Sequence, residues 1–226
     1  MTISANKLPT VEVQISKTAK RMVLRYQPLR DEFVLTLPPR CNKARAEKFL
    51  QEKQEWMQER LEHLPERVLL QFGNIIPVLG EELEIANGAN VSNPRKGKLF
   101  ILATPKNCEK VTTQVLKARL YYYIEERAEK MAEKINKEIS NITLRDTISR
   151  WGSCSHTGAL SFSWRLVFAP AFVVDYLIAH EVAHLREANH GENFWKLVEE
   201  LEPKWKKAKI WIKNHGSVLY RYGNVK

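Results

Sequence analysis

Along the first forty residues apolar positions alternate with polar ones: Val11, Val13 and Ile15, then Met22, Leu24 and Tyr26, then Phe33 to Leu37, which stops at Pro38-Pro39. A period of two turns one face of each segment inward, so the pattern predicts three short strands in a small antiparallel sheet. From Asn42 the period lengthens. Phe49, Leu50, Trp56, Met57, Leu61 and Leu64 recur at helical spacing and predict one helix from Asn42 to His63, ended by Pro65. Val68 to Phe100 returns to short strands punctuated by Gly73-Asn74, Gly80, Asn87-Gly88 and Asn93-Pro94.

The remainder is mainly helical. Val111, Val115, Leu116, Leu120, Tyr123, Ile124, Ala128, Met131 and Ile135 track one face of a helix from about Cys108 to Ser140. A strand is predicted from Ile142 to Ile148, a Gly/Ser-rich loop from Trp151 to Gly158, and a second strand from Ala159 to Val167. Three helices follow, Ala171–Glu187, Glu192–Leu201 and Pro203–Asn214. The expected class is α+β, with a β-rich region carrying one helix over 1–105 and a second domain over 106–226.

Composition narrows the classes without naming one. Of 226 residues, 44% are hydrophobic and 27% charged, ordinary globular usage that excludes a disordered or fibrous chain. The best apolar run, Phe172 to Ala179, is interrupted by Asp175 and falls far short of the ~20 residues of a bilayer span, so no membrane association is expected. Met1 to Arg25 lacks the apolar core of a secretory signal, and Cys41, Cys108 and Cys154 are too scattered for a disulfide framework. A cytoplasmic protein is expected. The net charge of +10 is spread along the chain, densest at Lys204, Lys206, Lys207, Lys209 and Lys213. That cluster permits nucleic-acid binding through the last helix, with Trp205 and Trp211 either stacking on bases or packing inward, although a solvated surface accounts for the charge alone.

The chemistry is concentrated in Ala179-His180-Glu181-Val182-Ala183-His184, followed by Glu187, Asn189, His190 and Gly191. Four residues apart on a helix, His180 and His184 project from the same face, close enough to hold one metal ion. Glu181 falls beside that face, placed to take a proton from a water on the metal. This HExxH spacing is that of zinc hydrolases. Val173, Tyr176 and Leu177 share the stripe and turn the histidines inward. Asn189 and Gly191 are chain-turning residues that allow the chain to fold back and present His190 as a third ligand, which leaves a fourth position for water. Glu187, Glu192 and Glu199 are the alternative third ligands. Cys154 and His156 form a weaker Cys–His pairing, and a packing role for Cys154 is the plainer reading. Arg150, Arg165, His156, Tyr220, Arg221 and Tyr222 are the residues available to stabilise an oxyanion.

Arg150-Trp151-Gly152-Ser153-Cys154, Gly158, Leu160-Ser161-Phe162, Trp164-Arg165-Leu166, Pro170 and Asp175-Tyr176, running into His180-Glu181, His184, His190 and Phe194-Trp195, resemble the YgjP-like metallopeptidase family. The likeness extends to the amino-terminal strands and helix, with Ser163 standing where family members often have Asn. It implies a zincin-like, gluzincin-like hydrolase, distantly similar to SprT-type proteases that act on proteins crosslinked to DNA. By that resemblance His180, His184 and His190 hold zinc, Glu181 is the general base, and Leu160 to Leu166 forms the cleft rim to which an extended peptide adds as a strand. The expected activity is peptide-bond hydrolysis by a metal-activated water. Its rivals are a metal-dependent nucleotide pyrophosphohydrolase acting on a substrate such as UTP and a DNA-associated protease or binding module.

Overall fold

The computed structural model describes residues 2–3, 9–62, 64–88 and 97–223; His63 and the Asn93-Pro94 turn lie outside them. The chain divides into two compact units, Met1–Glu66 and Arg67–Asn224. The first holds strands β1 (Thr2–Ile3), β2 (Val11–Ile15), β3 (Val23–Gln27) and β4 (Glu32–Leu37) and helices α1 (Lys43–Glu52) and α2 (Gln54–Glu62). The second holds β5 (Ile75–Val78), β6 (Glu81–Asn87), β7 (Lys98–Ile101), α3 (Cys108–Lys134), β8 (Asn141–Arg145), β9 (Gly152–Cys154), β10 (Ala159–Ser163), α4 (Ala171–Ala183), α5 (Glu192–Leu201) and α6 (Trp205–His215).

In the first unit the sheet order is β1-β2-β4-β3. It is mixed where an antiparallel sheet was expected. The tight turn between β3 and β4, with Asp31 left-handed at φ 55, makes those two a hairpin, so β2 pairs with β4 from the other side and in parallel. Val11, Phe33, Leu35 and Leu37 face α1 and α2 residues Ala46, Leu50 and Met57 in a small core of their own. The single predicted helix is two. Asn42 caps the first through Arg45 N–H, and at Lys53 the backbone N–H tightens back to the Leu50 carbonyl before α2 begins.

The larger unit places β5–β7, α3 and α4 around one core that runs from Leu70 to Leu219. Leu83, Ile85, Leu99 and Ile101 share that core with Leu116 and Leu120 of α3, so the division falls at Glu66/Arg67 and not at 105/106. α3 stops at Lys134, earlier than its apolar stripe suggests. Asn136 adopts φ 52, and Lys137 N–H and Asn136 N–H return to the Ala132 and Glu133 carbonyls, a left-handed cap that satisfies the last turn.

The sheet nearest the functional residues has the order β8-β10-β9. β10 is its centre, parallel to β8 and antiparallel to β9, with Gly152 opposite Phe162 and Cys154 opposite Leu160. The segment 151–158, expected as loop, therefore contains a strand, and β10 ends at Ser163. Trp164–Phe168 follows as a 3-10 turn with all five side chains buried.

Candidate metal centre

α4 is apolar on nearly every side, with Val173, Val174, Ile178, Ala179, Val182 and Ala183 buried, so it runs through the core and carries His180 and Glu181 with it. The helix ends sooner than Glu187. Leu185 N–H reaches the Val182 carbonyl, and the Arg186 and Glu187 N–H groups both reach Ala183, so the chain tightens after His184, which is the C-cap. His180 thus sits within the helix and His184 at its end. A turn closed by Gly191 N–H on the Asn189 carbonyl (2.8 Å) then leads into α5, whose apolar face buries Phe194, Leu197, Val198 and Leu201.

This return brings His190 back over the helix end. The ring nitrogens that His180, His184 and His190 offer a metal lie within 4.8 Å of one another. Nε2 of His190 and Nε2 of His180 face each other at 3.1 Å. Phe194 lies beneath all three rings, with centroids 4.9, 4.6 and 4.7 Å from His180, His184 and His190. None of the alternative carboxylates joins them. Glu192 pairs with Lys196 and Glu199 with Lys206, while the Glu187 backbone carbonyl accepts from His184.

The donor set fits a metal by its own chemistry. His184 Nδ1 is 3.0 Å from the Glu187 carbonyl oxygen, which can only accept, so Nδ1 carries the proton and Nε2 keeps its lone pair for a ligand. Burial, with the neighbouring imidazoles and Lys209 adding to it, pushes His180 down to about 4; burial lowers His184 as well. Neutral imidazoles are the form that binds metal. His180 Nδ1 is buried with no hydrogen-bond partner, so that side of the ring is held by packing.

Glu181 is 5% exposed, and its burial raises the carboxyl to about 7 against the opposing charge of Arg150. It shares a cleft of about 450 Å³ with the three histidines, Ala188, Arg150 and the stretch Gly152 to His156. The strand wall of this cleft is β9. β10 lies behind it, paired on both sides, so the strand expected at the rim is not at the edge, and β9 is.

The structure also sorts the other sequence candidates. Arg150 and His156 line the cleft. Arg165 does not: the residue is 1% exposed, its guanidinium bound to Asp146 at 2.8 and 3.2 Å and to the Tyr222 carbonyl at 2.9 Å. The Tyr220 hydroxyl donates to the Thr147 carbonyl. Cys154 is in the cleft, but burial and then Glu181 raise its thiol, the opposite of what a nucleophile needs. Trp205 stacks on Trp195 at 4.7 Å with its indole nitrogen buried, and so packs inward. Sequence reasoning missed Gly152 as a cleft residue, since three small residues in a row carry no strand signal; their place beside Trp151, an aromatic anchor, was the available hint.

Three imidazoles that could hold a metal ion and a buried carboxylate thus stand together on and beside one helix. The YgjP-like metallopeptidase domain model matches residues 20–215, and the chain belongs to the YgjP-like family. Among solved structures, the metallopeptidase zymogen of Pyrococcus abyssi, abylysin, aligns over 40% of this chain and 93% of its own at 20% identity with a TM-score of 0.36, a partial likeness. No curated protein matches the chain. Among the described residues no helix is long and apolar enough to cross a membrane.

Proposed function

We propose that this chain is a zinc peptidase in which His180, His184 and His190 hold the metal and Glu181 is the general base. The observation that carries the reading is the convergence of three imidazoles within 4.8 Å beside a buried carboxylate. Three nitrogen donors and, among the described residues, no fourth side chain suit a catalytic zinc site, and bound zinc would supply a Lewis acid that polarises a carbonyl and acidifies water. The Glu181 carboxylate accepts one proton from the attacking water on a single oxygen and returns it to the leaving amine. Burial raises this carboxyl, the direction that suits a group that both takes up and returns a proton.

Arg150, the permanent cation in the cleft lining, is available to the developing oxyanion, with His156 beside it. β9, with β10 on one side and no strand on the other among the described residues, offers its backbone to an extended peptide. Glu181 is the sole carboxylate in the described cleft lining, which favours peptide hydrolysis over cleavage of a phosphoanhydride, where a carboxylate group holding Mg²⁺ is the usual equipment.

The test is zinc per chain by mass spectrometry on wild type, His184→Ala and His190→Ala, with casein and UTP assayed in parallel. One zinc in wild type, lost in both variants, with casein cleaved and UTP intact, is expected. Zinc retained in His190→Ala moves the third ligand elsewhere, and UTP turnover without casein cleavage overturns the peptidase reading.

A further inference from the structure

Between Glu181 and the strand wall there is no room for a side chain. A Cβ on Gly152 meets Glu181 Oε1 at 2.4 Å, Cγ at 2.7 Å and Cδ at 2.8 Å, whereas ordinary contact begins near 3.4 Å. The backbone at Gly152 is not left-handed, so space is what this glycine supplies, not conformational freedom. Two of the three crowded atoms are not the far tip of the side chain. Swinging the carboxylate end alone does not relieve them, and the whole side chain must move.

Nor can the strand give way easily. Gly152 is paired with Phe162, and the Trp151 carbonyl accepts from Ser163 N–H at 2.8 Å. The Trp151 indole is 5.1 Å from the Tyr220 ring and closes against Gly216, where any Cβ meets it at 3.1 Å. Upstream, Thr147 donates its hydroxyl to the Arg150 carbonyl and receives the Tyr220 hydroxyl on its own carbonyl, both at 2.9 Å. The strand entering the cleft is thus held by β10 on one side and by the carboxy-terminal turn on the other.

We infer that Gly152 is the positioning residue for Glu181: its missing side chain lets a braced strand lie directly on the carboxylate and fix where the carboxylate points. This rests on the reading of Glu181 as the proton acceptor. The placement itself is open to test without that reading.

The experiment compares Gly152→Ala, Glu181→Gln and the double variant, each loaded with zinc, by crystal structure, zinc content and kcat/KM on a fluorogenic casein peptide. In Gly152→Ala the Glu181 carboxylate is expected to move by about 1 Å, the gap between a 2.4 Å and a 3.4 Å contact. Zinc stays at one per chain, and kcat/KM falls about 100-fold through kcat, as a displacement of this size at a reacting group produces. In the Glu181→Gln background the same glycine substitution then changes the rate less than about 3-fold, because the residue through which it acts is already disabled. Equal losses in both backgrounds, or an unmoved Glu181, overturn the inference. Gly152→Ala/Glu181→Asp, one methylene shorter, is the folding control; it regains order if the single variant loses it to this clash, and failure to do so also counts against the inference. If zinc-loaded wild type cleaves no peptide while the carboxylate still shifts, the peptidase reading fails and the positioning of Glu181 stands.

Discussion

The helix wall of the cleft draws His180, Glu181, His184 and His190 from one short run of sequence, the first two on α4 and the last two placed by the turns that follow it. The strand wall is held from far away. Gly152 and Arg150 depend on Phe162 and Ser163 in β10, on Thr147 before them, and on Gly216 and Tyr220 near the carboxy terminus. One wall carries the donors and the other carries the constraint. Substitutions in the first should therefore strike the metal and the proton, while those in the second should strike position and stability and leave zinc bound.

The largest expected effect lies on the helix wall. Glu181→Gln preserves size and the zinc ligands while removing the proton acceptor, so kcat should fall about 10³-fold with zinc still at one per chain. A drop smaller than about 10-fold moves the base to another residue and dissolves the distinction between the walls at its strongest point.

Next comes a pH effect of about 3 kcal/mol, visible in protein stripped of metal by chelator. Glu181 is raised from 4.5 to about 7 on folding, so the folded state holds a proton that the unfolded state releases. Its contribution to stability declines as pH rises through that window. His180, lowered from 6.5 to about 4, works the other way, and stability from that ring is lost as pH falls from 6.5. The two slopes oppose each other between pH 4.5 and 6.5 in wild type. Subtracting wild type from Glu181→Gln isolates the carboxyl, and the variant should gain about 3 kcal/mol relative to wild type from pH 4.5 to 7 in urea titrations. A flat difference means that Glu181 is not buried as a carboxylic acid.

The strand wall supplies a smaller effect on stability. Asp146→Ala leaves the Arg165 guanidinium buried with only the Tyr222 carbonyl and the Trp164 and Tyr220 rings for company. Because the Asp146 side chain is itself 41% exposed, the loss is set below that of a fully buried pair, at about 2 kcal/mol in urea unfolding. Zinc content should not change. Loss of zinc from Asp146→Ala would place the two walls in one cooperative unit.

The same contrast explains what the sequence made legible. The clustering of His180, Glu181 and His184 with the fold-back to His190 could be read because these residues are neighbours along the chain, and α5 runs from Glu192 to Leu201 as its apolar spacing predicts. β9 was hidden because Gly152, Ser153 and Cys154 are small and form only three positions of a strand whose partner supplies the pairing. The end of α3 turned on Asn136, a left-handed cap that helical periodicity does not register. The unit boundary was misplaced for a related reason: Leu83, Ile85, Leu99 and Ile101 join the core of α3 through contacts that adjacency in sequence cannot reveal.

The smallest effect is also a test of how glycines are read. Gly191 sits between the third histidine and α5 and looks in sequence like a chain-turning glycine, much as Gly152 looks like loop. Its backbone is extended at φ −75, ψ −172, which any residue adopts, and a Cβ there meets nothing within 4 Å. Gly191→Ala should therefore leave stability within about 0.5 kcal/mol of wild type, the ordinary range for a surface substitution, and keep one zinc per chain. Set beside Gly152→Ala, it separates a glycine required for space from one that is merely present. A loss of zinc in Gly191→Ala would show instead that the fold-back to His190 needs freedom at this position, and the helix wall would then be less locally determined than its geometry indicates.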